Sequence, residues 1–135
     1  MKHVQQKGNS CGLACLAMLQ GTTLSETASR LKLAEADYSN GMSLFAMLKH
    51  LYSLGKRPIL YSALTQFLRP NTAYILVVPS LNTQGAQHFI IALTGETAAI
   101  VQVMDPMLGI VGKKAYTIFN LVQFNGIVDC GEYIS

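Results

Sequence analysis

Three residues of this sequence combine the types and settings that nucleophilic attack on a carbonyl requires. Cys11 heads CGLACLAMLQ, an apolar run of helical texture preceded by Asn9 and Ser10, either a suitable N-cap, and followed by Gly21 as a stop. A thiol in the first turn of a helix meets free backbone N–H groups and the positive end of the dipole, which favour an anion. The dipole contributes only about 0.3–1 kcal/mol, so full activation calls for a second cation.

His88 can supply that cation. QHFIIALTGETAAIVQVMDP reads as a β-hairpin around Gly95-Glu96-Thr97. With a loop from Gly95 to Ala98, His88 and Asp105 stand directly opposed on one face, their Cβ atoms about 4.5–5.5 Å apart. A carboxylate at that range bonds one imidazole nitrogen and selects the tautomer. A slip of one residue would put the pair on opposite faces, and Pro106 holds Asp105 extended at the strand end. A lone histidine in an apolar strand is usually a satisfied core residue, but one partnered by a carboxylate and matched by a helix-start cysteine is not alone. His3 is expected in a mobile terminus and His50 on an ordinary helix face beside Lys49. Cys15, one turn beyond Cys11, reads as a small core hydrophobe, and Cys130 carries no functional expectation. No cysteine and histidine spacing makes a four-ligand zinc site, and the chemistry needs no cofactor.

The elements that must position these residues fall in two groups. Helices are expected at 11–20, from about Ser25 through TASRLKLA, and over 42–54, where Leu44, Met47, Leu48 and Leu51 share a face and Gly55 ends the run. The first is apolar on nearly every side and should be buried all round. After Gly55 come short strands: RPILYS, AYILVVP, QHFIIALT, AAIVQVMD, KAYTI and GIVDC. Helices followed by a mostly antiparallel sheet make an α+β, two-lobed fold, with one domain over 1–135, a helical lobe at 1–55 and a sheet lobe at 56–135. A site is expected in the cleft between the lobes.

Composition narrows the class further. The chain has 135 residues, of which 50% are hydrophobic and 13% charged, which excludes intrinsic disorder. Mean hydropathy is high at +0.32, yet no apolar run reaches the length of a membrane span. The net charge of +3 is scattered, with no basic run longer than Lys56-Arg57 or Lys113-Lys114, so nucleic acid is not an expected partner. Three cysteines cannot all pair, and the N-terminus has neither the apolar length nor the cleavage site of a signal peptide. A reducing, cytoplasmic setting is expected.

The run from Gln5-Gln6-Lys7-Gly8-Asn9-Ser10-Cys11-Gly12 through Leu19, then Gln87-His88-Phe89, then Met104-Asp105-Pro106, resembles the bacteriocin-processing cysteine peptidases. Gly41-Met42-Ser43-Leu44 is similar to the Gly-x-Ser that opens that family's third helix. The resemblance covers nearly the whole chain and implies a papain-like fold that cuts leader peptides after a double glycine. It implies Cys11 as nucleophile, His88 as base, Asp105 as the residue orienting it and Gln5, six residues before the cysteine, as oxyanion donor. Ser10 departs from the aspartate usual before the cysteine. A peptide or protein substrate is the implied partner. An ABC exporter or secretion system is a further one, although this sequence carries neither transmembrane helices nor an ATPase. The same three groups would also serve a free-standing amidase, deamidase or acyltransferase, and a silent peptide-binding domain is the remaining alternative.

Overall fold

The computed structural model describes residues 1–61, 67–121 and 123–133. Helix α1 (Cys11–Gln20) has no polar face, and every residue from Cys11 to Met18 is buried. It ends where Gly21 turns left-handed at φ 67°, with the N–H groups of Gly21 and Thr22 closing on the carbonyls of Met18 and Ala17. Helix α2 (Leu24–Arg30) starts at Thr23, whose hydroxyl accepts the Glu26 N–H at 3.1 Å. It stops short of the expected Ala34 because Lys32 takes φ 55° and Leu33 folds its N–H back onto Ala28. A single turn, α3 (Glu35–Tyr38), was not foreseen; the Asp37 carboxylate accepts the Ala34 N–H at 2.7 Å and secures it. Helix α4 (Leu44–Ser53) opens at Ser43, which accepts the Ala46 N–H at 3.0 Å, and buries Met47 and Leu51.

Five strands follow: β1 (Ile59–Tyr61), β2 (Thr72–Pro79), β3 (Gln87–Thr94), β4 (Ile100–Met104) and β5 (Gly126–Glu132). They form one antiparallel sheet in the order β1-β5-β2-β3-β4. RPILYS contributes only its centre to β1, and its last residue, 62, lies outside the described residues. KAYTI is not a strand. The N–H of Tyr116 goes to the Asp105 carboxylate and its phenol donates to the Pro79 carbonyl, so this segment is held by side chains rather than a ladder.

Period-two alternation divides the sheet between two cores. Ala73, Ile75, Phe89, Ile91, Leu93, Val128 and Cys130 pack against α1 and α4 through Cys15, Leu16, Met18, Met47 and Leu51. Tyr74, Leu76, Val78, Ile90, Ala92 and Ile127 form the second cluster with Tyr116, backed by Leu121 and Phe124 from the long connection after β4. Burial on both faces explains why β2 and β3 read as nearly unbroken apolar runs. The fold is the expected α+β arrangement, helices first and sheet after.

One ion pair clamps the sheet away from the helices. The Arg69 guanidinium donates two bonds, of 2.8 and 2.9 Å, to the carboxylate of Asp129, which is 2% exposed on β5. The arginine side chain is 52% exposed, so solvent screens much of the charge attraction. Replacing it still leaves the buried carboxylate, among the described residues, with only the Gly131 N–H at 2.9 Å. Arg69→Ala is expected to lower unfolding stability by about 1–3 kcal/mol, read by urea denaturation. An unchanged midpoint would show that the pair adds nothing net.

Candidate active site

Cys11 occupies the first turn of α1 and is 8% exposed. Ser10 stands at the N-cap but makes no cap bond, because its hydroxyl accepts the Lys7 N–H at 2.9 Å instead. The helix start therefore keeps its N–H groups free of a side-chain acceptor, as an anion-binding end requires. Gly12 lets the segment before α4 come close: a Cβ there would lie 3.1 Å from the Met42 sulfur and 3.2 Å from its Cβ.

His88 opens β3, and its Nε2 donates to Asp105 Oδ1 at 2.6 Å. The Cys11 side chain borders the same cleft and lies near enough to the ring to favour its charged form. Burial works against a charged ring, but the bond to Asp105 and the nearness of Cys11 outweigh it and raise the His88 pKa from 6.5 to about 9. With both nitrogens protonated, the ring donates to the carboxylate and has a second N–H to offer.

Asp105 is 1% exposed and fully occupied. Oδ1 also accepts the Met107 N–H at 2.8 Å, and Oδ2 accepts the Tyr116 N–H at 2.8 Å. The residue lies one position beyond β4, and it is not opposite His88 in the ladder. The observed pairs are Ile91 with Met104 and Ala92 with Val103. Two displacements separate this register from the expected one. Gly95 and Ala99 close the turn by a 3.0 Å bond, with Ala98 left-handed at φ 66°, so the loop is one residue shorter. An irregularity between Leu93 and Thr94 then shifts the pairing by one more. Two single slips preserve the face, so the two side chains still meet, diagonally rather than directly.

The structure separates the two glutamines. Gln5 donates to the Leu108 carbonyl at 3.1 Å and lines a different depression, against Thr22 to Glu26. It does not accompany Cys11. Gln6 does: it is 4% exposed, borders the same cleft as Cys11 and His88, and donates Nε2 to the Gly8 carbonyl at 2.6 Å. Its Oε1 is buried without a partner. Spacing alone favours Gln5, and nothing in the sequence distinguishes its neighbour.

The cleft holds about 460 Å³. Asn40, Gly41, Met42 and Leu44 form one wall; Thr83, Ala86 and Gln87 form the other. The second wall is anchored by Asn82, which donates to the Lys114 carbonyl and accepts the Lys114 N–H, both at 2.8 Å. Among the described residues no group of three or more His, Cys, Asp or Glu could hold a metal ion, and no helix is long and apolar enough to cross a membrane.

Helices packed on one face of an antiparallel sheet, with a thiol at the buried helix's first turn beside a histidine, define a papain-like cysteine peptidase. The chain belongs to the peptidase C39 family, whose profile matches residues 2–125. Its fold is similar to that of the peptidase domain of Streptococcus ComA, a bi-functional ABC transporter involved in a quorum-sensing pathway. That similarity has a TM-score of 0.62 over 98% of each chain, at 14% sequence identity. A sequence search of the curated proteins finds no match.

Burial raises the Cys15 thiol well above its usual range and the Cys130 thiol to about 12. Iodoacetamide at neutral pH is therefore expected to modify Cys11 alone, with His88→Ala slowing that reaction; peptide mass mapping reads both. Because folding raises the His88 pKa, the pair's contribution to stability is full below pH 6.5 and lost as pH rises through about 9. Asp105→Asn is expected to flatten that dependence in thermal unfolding. It also lowers stability by about 1–3 kcal/mol, since its amide cannot accept both flanking N–H groups and pair with the ring.

Proposed function

We propose that this chain hydrolyses a peptide bond following glycine, with Cys11 as nucleophile, His88 as proton carrier and Asp105 as its positioning partner. The observation that carries this reading is the His88 ring, bonded to Asp105 and bordering one open cleft together with Cys11. The Cys11 sulfur attacks the scissile carbonyl carbon as a thiolate while His88 holds the proton. In this reading the oxyanion accepts the Cys11 N–H and an N–H of the Gln6 amide, which borders the cleft where Gln5 does not. His88 then gives its proton to the departing amine, and water attacking the thioester releases the acid and restores the thiol.

Met42, Val77 and Phe89 give the cleft that holds Cys11 apolar walls, and Met42 packs close to Gly12 beside the cysteine, which favours a small residue before the cut. Resemblance to the leader-cutting peptidases and the likeness to a transporter's peptidase domain support a double-glycine leader as substrate and an exporter as partner.

A peptide containing Gly-Gly followed by a polar segment tests the proposal. Mass spectrometry is expected to find one cut, after the second glycine, and none with Cys11→Ala. Gln6→Ala is expected to lower kcat by roughly 10²–10³, the usual cost of one oxyanion donor, with Gln5→Ala falling well short of that. The reverse order would return the role to Gln5, and deamidation of a glutamine side chain with the peptide bonds intact would sink the peptidase reading. The rate is expected to fall above neutrality with a midpoint near 9, where His88 loses the proton the leaving amine needs.

A further inference from the structure

Asp105-Pro106-Met107-Leu108 forms a β-turn, closed by the Leu108 N–H on the Asp105 carbonyl at 3.0 Å, with proline at the second position. Every carbonyl of this turn is taken. Ile110 donates to Met107. The other three receive bonds from the N-terminal segment: His3 Nε2 on the Asp105 carbonyl at 2.7 Å, the Gln6 N–H on Pro106 at 2.9 Å, and the Gln5 amide on Leu108 at 3.1 Å. A Cβ on Gly109 would lie 2.9 Å from the Gln5 amide nitrogen, so the glycine leaves room for this strap. The segment then continues through Gln6 into Cys11.

We propose that His3 is a positioning residue: its ring, bonded to the Asp105 carbonyl, holds the Asp105 turn in register with the strap that carries Gln6 and Cys11. A carbonyl can only accept, so His3 Nε2 carries a proton and the bond survives in the neutral ring. The carboxylate of Asp105 is aimed by its own turn, through Met107, and the turn is tied down by His3. Losing the tie leaves the turn hinged on fewer bonds, and small misplacements of catalytic groups are costly, up to about a hundredfold per ångström. The proposal rests on the reading of His88 and Asp105 as a working pair.

His3→Ala, His3→Leu and His3→Gln test it, the last restoring a donor. Two readouts are taken: kcat and KM on the Gly-Gly peptide, and the iodoacetamide reactivity of Cys11 across pH, which needs no substrate. His3→Ala is expected to lower kcat roughly tenfold or more at constant KM. It is also expected to move the upper inflection of the Cys11 profile downward as Asp105 loosens from His88, whose raised pKa the carboxylate helps to hold. His3→Gln recovers most of both. Should His3→Ala fail to fold, His3→Leu keeps the packing and carries the same comparison. Unchanged kcat and inflection would overturn the proposal, as would a loss of thermal stability alone or a loss that His3→Gln does not repair. If the parent leaves the peptide intact while the Cys11 profile still moves in His3→Ala, the substrate reading fails and the positioning role stands.

Discussion

A carboxylate with 1% of its surface exposed must have its oxygens bound, and Asp105 meets that demand from three separate stretches of chain. β3 supplies an imidazole, the turn after β4 supplies the Met107 N–H, and the long connection to β5 supplies the Tyr116 N–H. Removing one partner from a buried pair of this kind costs about 3–5 kcal/mol, so these segments are bound to one another through a single side chain. Tyr116 passes the constraint on: its phenol reaches Pro79 at the end of β2, and its ring covers the outer face of the sheet. The geometry of the cleft is thus a consequence of satisfying one buried charge.

The thiol side follows a different logic. α1 is packed on all sides, so Cys11 has little freedom of its own, and the absence of a side-chain cap leaves backbone N–H groups at its head. Three cysteines share one core and have two fates. Cys15 and Cys130 lie in dry surroundings that suppress ionisation, while Cys11, at the rim and next to an imidazole, is the one with a cation at hand.

Much of this was legible in the sequence because it depends on periodicity and local chemistry. An all-apolar helix, alternating strands, Gly21 and Gly55 after helix ends, and a histidine and an aspartate flanking a turn are local signals. The hairpin register was not legible, since the loop length and the irregularity at Thr94 depend on how β4 lies on β3; the pair still meets because two slips of one residue add to two and keep the face. KAYTI has the composition of a strand, but the pull of the Asp105 carboxylate on Tyr116 overrode it. Gln5 and Gln6 are indistinguishable in type, and only the path of the strap decides which one enters the cleft. The Asp-Pro pair was a turn signal with Asp at the first position, and read as such it would have pointed to the carbonyls that His3 and Gln6 cover.

The strap joins residues 102 positions apart, His3 to Asp105, and the carboxylate waits in addition for Tyr116. Contacts this distant in the chain close late, after the loop entropy between them has been overcome. On a ribosome, α1 and its thiol emerge first but have no imidazole, no carboxylate and no strap contact until nearly the whole domain has been synthesised. A nascent chain of this kind carries the Cys11 thiol without the groups that surround it in the finished fold, so its chemical setting is the last thing folding completes.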